Sequence, residues 1–163
     1  MTSSVTRRRD GELRETVGIR RATARDAKRL TRLVRTSRAY EGHYAAMVAG
    51  YRVGPDYIET HRVFAAVEPG TERVLGFYSL VLDPPELDLM FVADDAQGLG
   101  IGRLLIGHLR QEAERAGLTG VRVVSHPPAE GFYRSMGARR TGTLAAAPPA
   151  VMWDRPELLL PVT

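Results

Sequence analysis

The sequence predicts a single α/β domain, a mixed β-sheet covered by helices on both faces. Three observations lead there. Segments that alternate every two residues and segments with helical spacing succeed one another along the chain, with a hairpin among the first strands. The composition, 44% hydrophobic and 26% charged over 163 residues, suits one core of ordinary size. A glycine cluster, Gln97-Gly98-Leu99-Gly100-Ile101-Gly102-Arg103, joins an apolar strand to a long amphipathic helix.

Residues 1–16, with Arg7-Arg8-Arg9, read as a disordered polar tail, and residues 17–163 as the domain. Residues 17–23 alternate as a strand, and Thr23 caps a helix reaching about Ser37 that buries Leu30, Leu33 and Val34. A second helical stretch over 40–51 is broken by Gly54-Pro55, and a short helix follows through Tyr57 and Ile58. Residues 63–68 and 74–82 are strands joined by the turn Glu68-Pro69-Gly70-Thr71. Residues 86–92 form the next strand, where strict alternation puts Leu87, Leu89 and Phe91 on one face and Glu86, Asp88, Met90 and Val92 on the other.

A helix over 102–116 presents Leu105, Leu109, Ala113 and Ala116 as an apolar stripe and ends at Gly117. Residues 121–125 are a short strand, 130–136 a short helix stopped by Gly137, and 138–144 a strand. A Pro/Ala-rich loop over 145–150 leads to a closing strand over 157–162.

Composition excludes several kinds of chemistry. Cysteine is absent, so disulfides, thiolate nucleophiles and cysteine metal sites are all ruled out. His61 and His108 have no partner spacing that suggests a metal. The net charge of +4 comes almost wholly from scattered arginines, without zinc-finger spacing or a basic stripe interleaved with aromatics, so no nucleic-acid partner is expected. No apolar run reaches membrane-spanning length and no signal-peptide core follows the basic start, so the expected address is cytoplasmic.

The glycine cluster reads as a phosphate cradle. Glycines at 98, 100 and 102 permit positive φ and leave no Cβ in the way, so successive N–H groups can converge on an anion, helped by the positive end of the following helix. Two better-known phosphate loops do not fit. A dinucleotide fingerprint begun at Gly98 requires glycine where Arg103 stands, and a P-loop requires lysine, whose only instance is Lys28.

With Gln97, Gly100 and Gly102 in place, the loop resembles the Gln/Arg-x-x-Gly-x-Gly/Ala signature of the GNAT-type N-acetyltransferases. A second segment, from His126-Pro127-Pro128-Ala129 through Phe132-Tyr133 to Gly137-Ala138, is similar to that superfamily's Asn-x-x-Ala-x-x-Phe/Leu-Tyr-x-x-x-Gly-Phe/Ala. It departs at His126, where asparagine is common. The two motifs and the strands around them span about Val63 to Gly142.

The resemblance implies a mostly antiparallel central sheet with a splayed parallel strand pair. It also implies acetyl-CoA as cofactor and direct transfer of the acetyl group to an amine, either a small metabolite, a peptide N-terminus or a lysine. On the cofactor side it places the backbone of Phe91 and Val92 along the pantetheine arm and the N–H groups of Gln97, Gly98, Leu99, Gly100, Ile101 and Gly102 around the pyrophosphate. Arg103 adds charge, and His126, Ala129 and Phe132 come from the second motif. On the acceptor side it points to Tyr40, Glu41, His43, Tyr44, Tyr51 and Trp153. It also implies the option of a homodimer.

The chemistry asks for a base, because an amine of pKa about 10.4 is nearly all ammonium at neutral pH. Glu86 is the first candidate by resemblance, and Asp88, roughly 7 Å further along the same face, the second. Both carboxylates read equally as a solvated strand face. Release of coenzyme A as a thiolate asks for a proton donor, and Tyr133 stands where the family often has one. Its plainer reading is aromatic packing with Phe132. The rival to an enzyme is an acyl-CoA-binding module that keeps the cradle without turnover.

Overall fold

The computed structural model describes residues 4–9, 13–38, 48 and 50–163. The chain opens with β1 (Ser4–Arg9) and β2 (Leu13–Arg21), an antiparallel pair with Ser4 opposite Gly18 and Arg9 opposite Leu13. This corrects the expectation of a disordered tail through residue 16. The edge of a sheet presents unpaired N–H and C=O groups, and the first segment pairs with them despite its polar composition.

A 3-10 turn (Ala24–Asp26) leads into α1 (Ala27–Arg35). Asp26 closes a capping box with Thr23, accepting its N–H at 2.8 Å, and takes both arms of the Arg20 guanidinium at 2.9 and 2.8 Å. The expected helix over 40–51 falls largely outside the described residues. The short helix is present as α2 (Pro55–Thr60), with Pro55 in its first turn.

β3 (Arg62–Val67) and β4 (Val74–Leu82) form the hairpin, and β5 (Pro85–Val92) adds antiparallel to β4. A 3-10 turn (Asp94–Ala96) and the glycine loop then deliver α3 (Ile101–Arg115), which ends at the left-handed Gly117. β6 (Gly120–Val124), a 3-10 turn (Pro127–Ala129) and α4 (Glu130–Ser135) follow. β7 (Arg139–Leu144) and β8 (Arg155–Pro161) close the sheet.

The eight described strands run in the order β1-β2-β3-β4-β5-β6-β8-β7. Every neighbouring pair is antiparallel except β5 and β6, which α3 joins as a crossover. That parallel pair is short: Glu86 faces Arg122, Leu87 faces Val123, and beyond this point the two strands part. A wedge-shaped opening results in the middle of the sheet.

One face packs Tyr78, Leu80 and Leu87 against Ile101, Leu105 and Leu109 of α3, with Val121, Val123, Leu158 and Leu160. The other face packs Val63, Ala65, Phe77 and Phe91 against Leu30, Leu33 and Val34 of α1 and Ile58 of α2. Both faces are covered, as the order of elements predicted.

The strict alternation expected for β5 fails at one residue. Leu80 pairs with Leu87 and Ser79 with Leu89, so Asp88 is an extra residue in a β-bulge. Leu87 consequently shares the α3 face with Met90 and Val92, while Leu89 and Phe91 turn to the α1 face. The bulge keeps Asp88 on the side where α2 lies and re-aims everything after it.

Candidate functional site

Two clefts meet at the opening between β5 and β6. The first, of about 330 Å³, is bounded by the end of β5, the glycine loop, the start of α3 and α4. The second, of about 460 Å³, lies on the α1 side and contains Glu86, Asp88, Tyr51, Arg122, Ser125 and Arg155. Met90, Phe91, His126, Ala129 and Tyr133 line both. A group lying through the wedge therefore touches both compartments.

The first cleft is built by backbone conformation. Gly98 and Gly100 are left-handed, with φ of 81° and 78°, and Gly100 is the N-cap residue of α3. A glycine cap has no side chain to satisfy the first-turn N–H groups, and the residues of that turn border the cleft. Alternating left-handed residues ahead of a helix N-terminus form a concavity for an anion. Gln97 anchors the loop by donating its side-chain N–H to the Val92 carbonyl at 3.1 Å.

Gly102 serves a different purpose. It sits within α3 without positive φ, and a Cβ there would lie 3.1 Å from the Phe132 ring and 3.4 Å from the Met90 methyl. Its missing side chain lets α4 close against α3 at the cleft floor. The Leu99 side chain is not among the residues lining the cleft and packs against the core. Phe91, Val92, Gln97, Gly98, Gly100, Ile101, Gly102, Arg103, His126, Ala129 and Phe132 all line it.

In the second cleft the two carboxylates have different partners. Glu86 accepts from Arg122 Nη1 at 3.0 Å, and Arg122 Nε donates to Glu157 at 2.6 Å, a chain of charge across β5, β6 and β8. The hydrogen bond to Glu157 first, and that to Glu86 after it, raise the proton affinity of Arg122. Asp88 accepts a short hydrogen bond from the Tyr57 hydroxyl of α2. Tyr57 is also 2.7 Å from the buried Ser79 hydroxyl. Burial first, and the bond to Asp88 second, push the Tyr57 phenol well above its ordinary value, so it stays a donor. Burial likewise raises Tyr51, with the Asp88 charge adding to it.

Tyr133 is buried at the junction of both clefts, with Phe132 edge-on to it at a 5.4 Å centroid separation. Of the residues expected on the acceptor side, Tyr40, Glu41, His43 and Tyr44 lie outside the described residues. Tyr51 lines the second cleft, but Trp153 lines neither. The loop before β8 closes on itself through the Ala147–Val151 bridge and an Ala146 N–H bond to Asp154, and the residue it delivers into the cleft is Arg155.

Tyr57, Arg122 and Arg155 escaped the sequence reading. Arg122 alternates with Val121 and Val123, which marks a polar strand face, but only the β5–β6 register sets it beside Glu86. Tyr57 and Arg155 carry no local signal.

The chain matches the family described as the acetyltransferase (GNAT) domain over residues 55–146. No curated protein sequence matches it. Among solved structures it is similar to the ribosomal-protein-S18-alanine N-acetyltransferase of Escherichia coli, at 21% identity over 89% of this chain and 93% of that one, with a TM-score of 0.66. The yncA protein of Salmonella typhimurium, solved with acetyl-CoA as cofactor, is 20% identical over 90% and 94% of the two chains, with a TM-score of 0.67. A phosphinothricin acetyltransferase of Sinorhizobium meliloti, in complex with acetyl-CoA, is 20% identical over 89% and 88%, also at 0.67. Among the described residues no helix is long and apolar enough to cross a membrane. The chain belongs to the GNAT acetyltransferase family, enzymes that take their acetyl group from acetyl-CoA.

Proposed function

We propose that this protein transfers the acetyl group directly to an amine seated in the Glu86–Asp88 cleft. The observation that carries the reading is the shared wall: Met90, Phe91, His126, Ala129 and Tyr133 border both the glycine-loop cleft and the carboxylate cleft. Donor and acceptor held one in each cleft meet without a carrier residue, and the absence of cysteine removes a thiol carrier.

The residues around the first cleft fit the donor. Its glycine N–H groups and α3 N-terminus suit a pyrophosphate, Arg103 stands at the rim, and the unpaired end of β5 offers its backbone to an extended arm. Acetyl-CoA, when bound, supplies an acetyl thioester at the wedge. Backbone N–H groups near Phe91 and Val92 are suited to polarise its carbonyl.

The chain's own residues then handle the protons. Glu86, oriented by Arg122, takes the proton that frees the amine lone pair, directly or through water. Asp88, held by Tyr57, attracts the ammonium form into the cleft. The Tyr133 hydroxyl gives a proton to the sulfur as the carbon–sulfur bond breaks.

Two measurements test this reading. Thermal unfolding with acetyl-CoA, coenzyme A, NAD and ATP in parallel should show a shift with the first two only, about 2.7 kcal/mol at 100 times the dissociation constant. Thiol release with a panel of amines should then follow, and Glu86→Gln should lower turnover most at low pH. Stabilisation by acetyl-CoA without thiol release from any amine would reduce the protein to a binding module.

A further inference from the structure

Among the described residues, the carboxylate cleft contains one arginine that no acidic side chain neutralises. Arg122 is shared between Glu86 and Glu157. Arg155 has no ion pair among the described residues, and its Nε is buried without a hydrogen-bond partner. The acids nearest to it in sequence are committed elsewhere. Glu157, two residues along the same face of β8, is held by Arg122 at 2.6 Å, and Asp154 accepts from the Ala146 N–H at 2.8 Å.

A buried guanidinium N–H left unsatisfied is unfavourable, and the planar fork of arginine matches a carboxylate through two parallel bonds. The other side of the cleft is acidic. Glu86 and Asp88 lie on β5 and Arg155 on β8, with β6 between them; Glu86 registers through Arg122 with Leu159, four residues from Arg155, so the backbones are about 10 Å apart across the sheet and Arg155 lies about 13 Å further along it from Glu86. The side chains shorten that gap further, since all three line the same cleft.

Resting on the transfer reading above, we propose that the acceptor is a small zwitterion, a free amino acid, whose carboxylate docks on Arg155 while its amine faces Glu86 and Asp88. A peptide fits less well. Its terminal carboxylate follows its amine at this distance only when the chain is one or two residues long, because each added residue extends the span by about 3.5 Å.

The test compares each of the common L-amino acids with its methyl ester and its decarboxylated amine, read by thiol release and by thermal stabilisation of the coenzyme A-loaded protein. At least one acid should exceed its ester ten-fold or more in kcat/KM. Arg155→Gln should remove that preference through KM while leaving the ester unaffected, and Arg155→Lys should restore part of it. Esters or bare amines used as well as the acids by the unaltered protein would overturn the proposal, with no variant needed. So would the absence of any Arg155-dependent stabilisation by the acids. Acid-selective stabilisation without thiol release would sink the transfer reading and leave the carboxylate site standing.

Discussion

Tyr57 donates its phenolic hydrogen to Asp88 and accepts one from Ser79, which ties α2 to the bulge of β5 at the place where the sheet begins to open. The direction follows from the inventory of donors. A carboxylate only accepts and a phenol has a single hydrogen, so the Ser79 hydroxyl must supply the second bond. Replacing Tyr57 with Phe strands the buried Ser79 hydroxyl and releases Asp88. Loss of one such buried hydrogen bond costs about 1–3 kcal/mol. At about 2–4 °C per kcal/mol for a chain of this length, the melting temperature should fall by several degrees. The KM for the amine should rise more than kcat falls. An unchanged KM would show that Asp88 needs no positioning.

Tyr133→Phe removes one oxygen from the wall common to both clefts and leaves the ring packed beside Phe132. Turnover should drop ten-fold or more with little change in coenzyme A affinity, the pattern of a proton donor acting late in the reaction. A loss of affinity with intact turnover would assign Tyr133 to packing alone.

Gly102→Ala places a methyl group 3.1 Å from the Phe132 ring, tighter than ordinary van der Waals contact. The ring must move, and it borders the first cleft. Coenzyme A affinity should weaken about ten-fold, and adding Phe132→Leu should recover most of it, because the two changes act on one contact. Calorimetric titration of both variants reads the coupling; strictly additive effects would rule out a shared contact.

Asp26 gives a pH dependence of known sign. The hydrogen bonds from Arg20 first, and from the Thr23 N–H with them, hold its carboxyl below the usual carboxylate range despite burial. The folded protein therefore binds this proton less readily than the unfolded chain. The resulting stability is complete above the ordinary value near pH 3.9 and is lost as the pH falls below it. Asp26→Asn should lower stability by about 2 kcal/mol at neutral pH and flatten the acid limb of the profile. Denaturant unfolding at pH 7 and pH 3 measures both; parallel profiles for the two proteins would contradict the assignment.

Much of this molecule was legible in the chain itself, because the signals concerned are local. Glycines at 98 and 100 announce backbone that other residues adopt only with strain, and the apolar stripe of α3 announces its buried face whatever it packs against. The same holds for the helix stop at Gly117 and for the placing of Tyr133 and Phe132 on one short helix. These features pointed to the family, which the match over residues 55–146 bears out.

What tertiary structure alone decided is everything that depends on register. A single extra residue at Asp88 reverses the faces of β5 beyond it, and the energy of a bulge resides in the pairing of two strands rather than in either one. The pairing of Glu86 with Arg122, 36 positions apart in sequence, exists only because β5 and β6 run parallel for two residues before they separate. Arg155 enters the cleft and Trp153 does not because a loop folds back on itself first. The place of Arg155 in the carboxylate cleft thus comes from long-range assembly, whereas the glycine loop was written in consecutive residues.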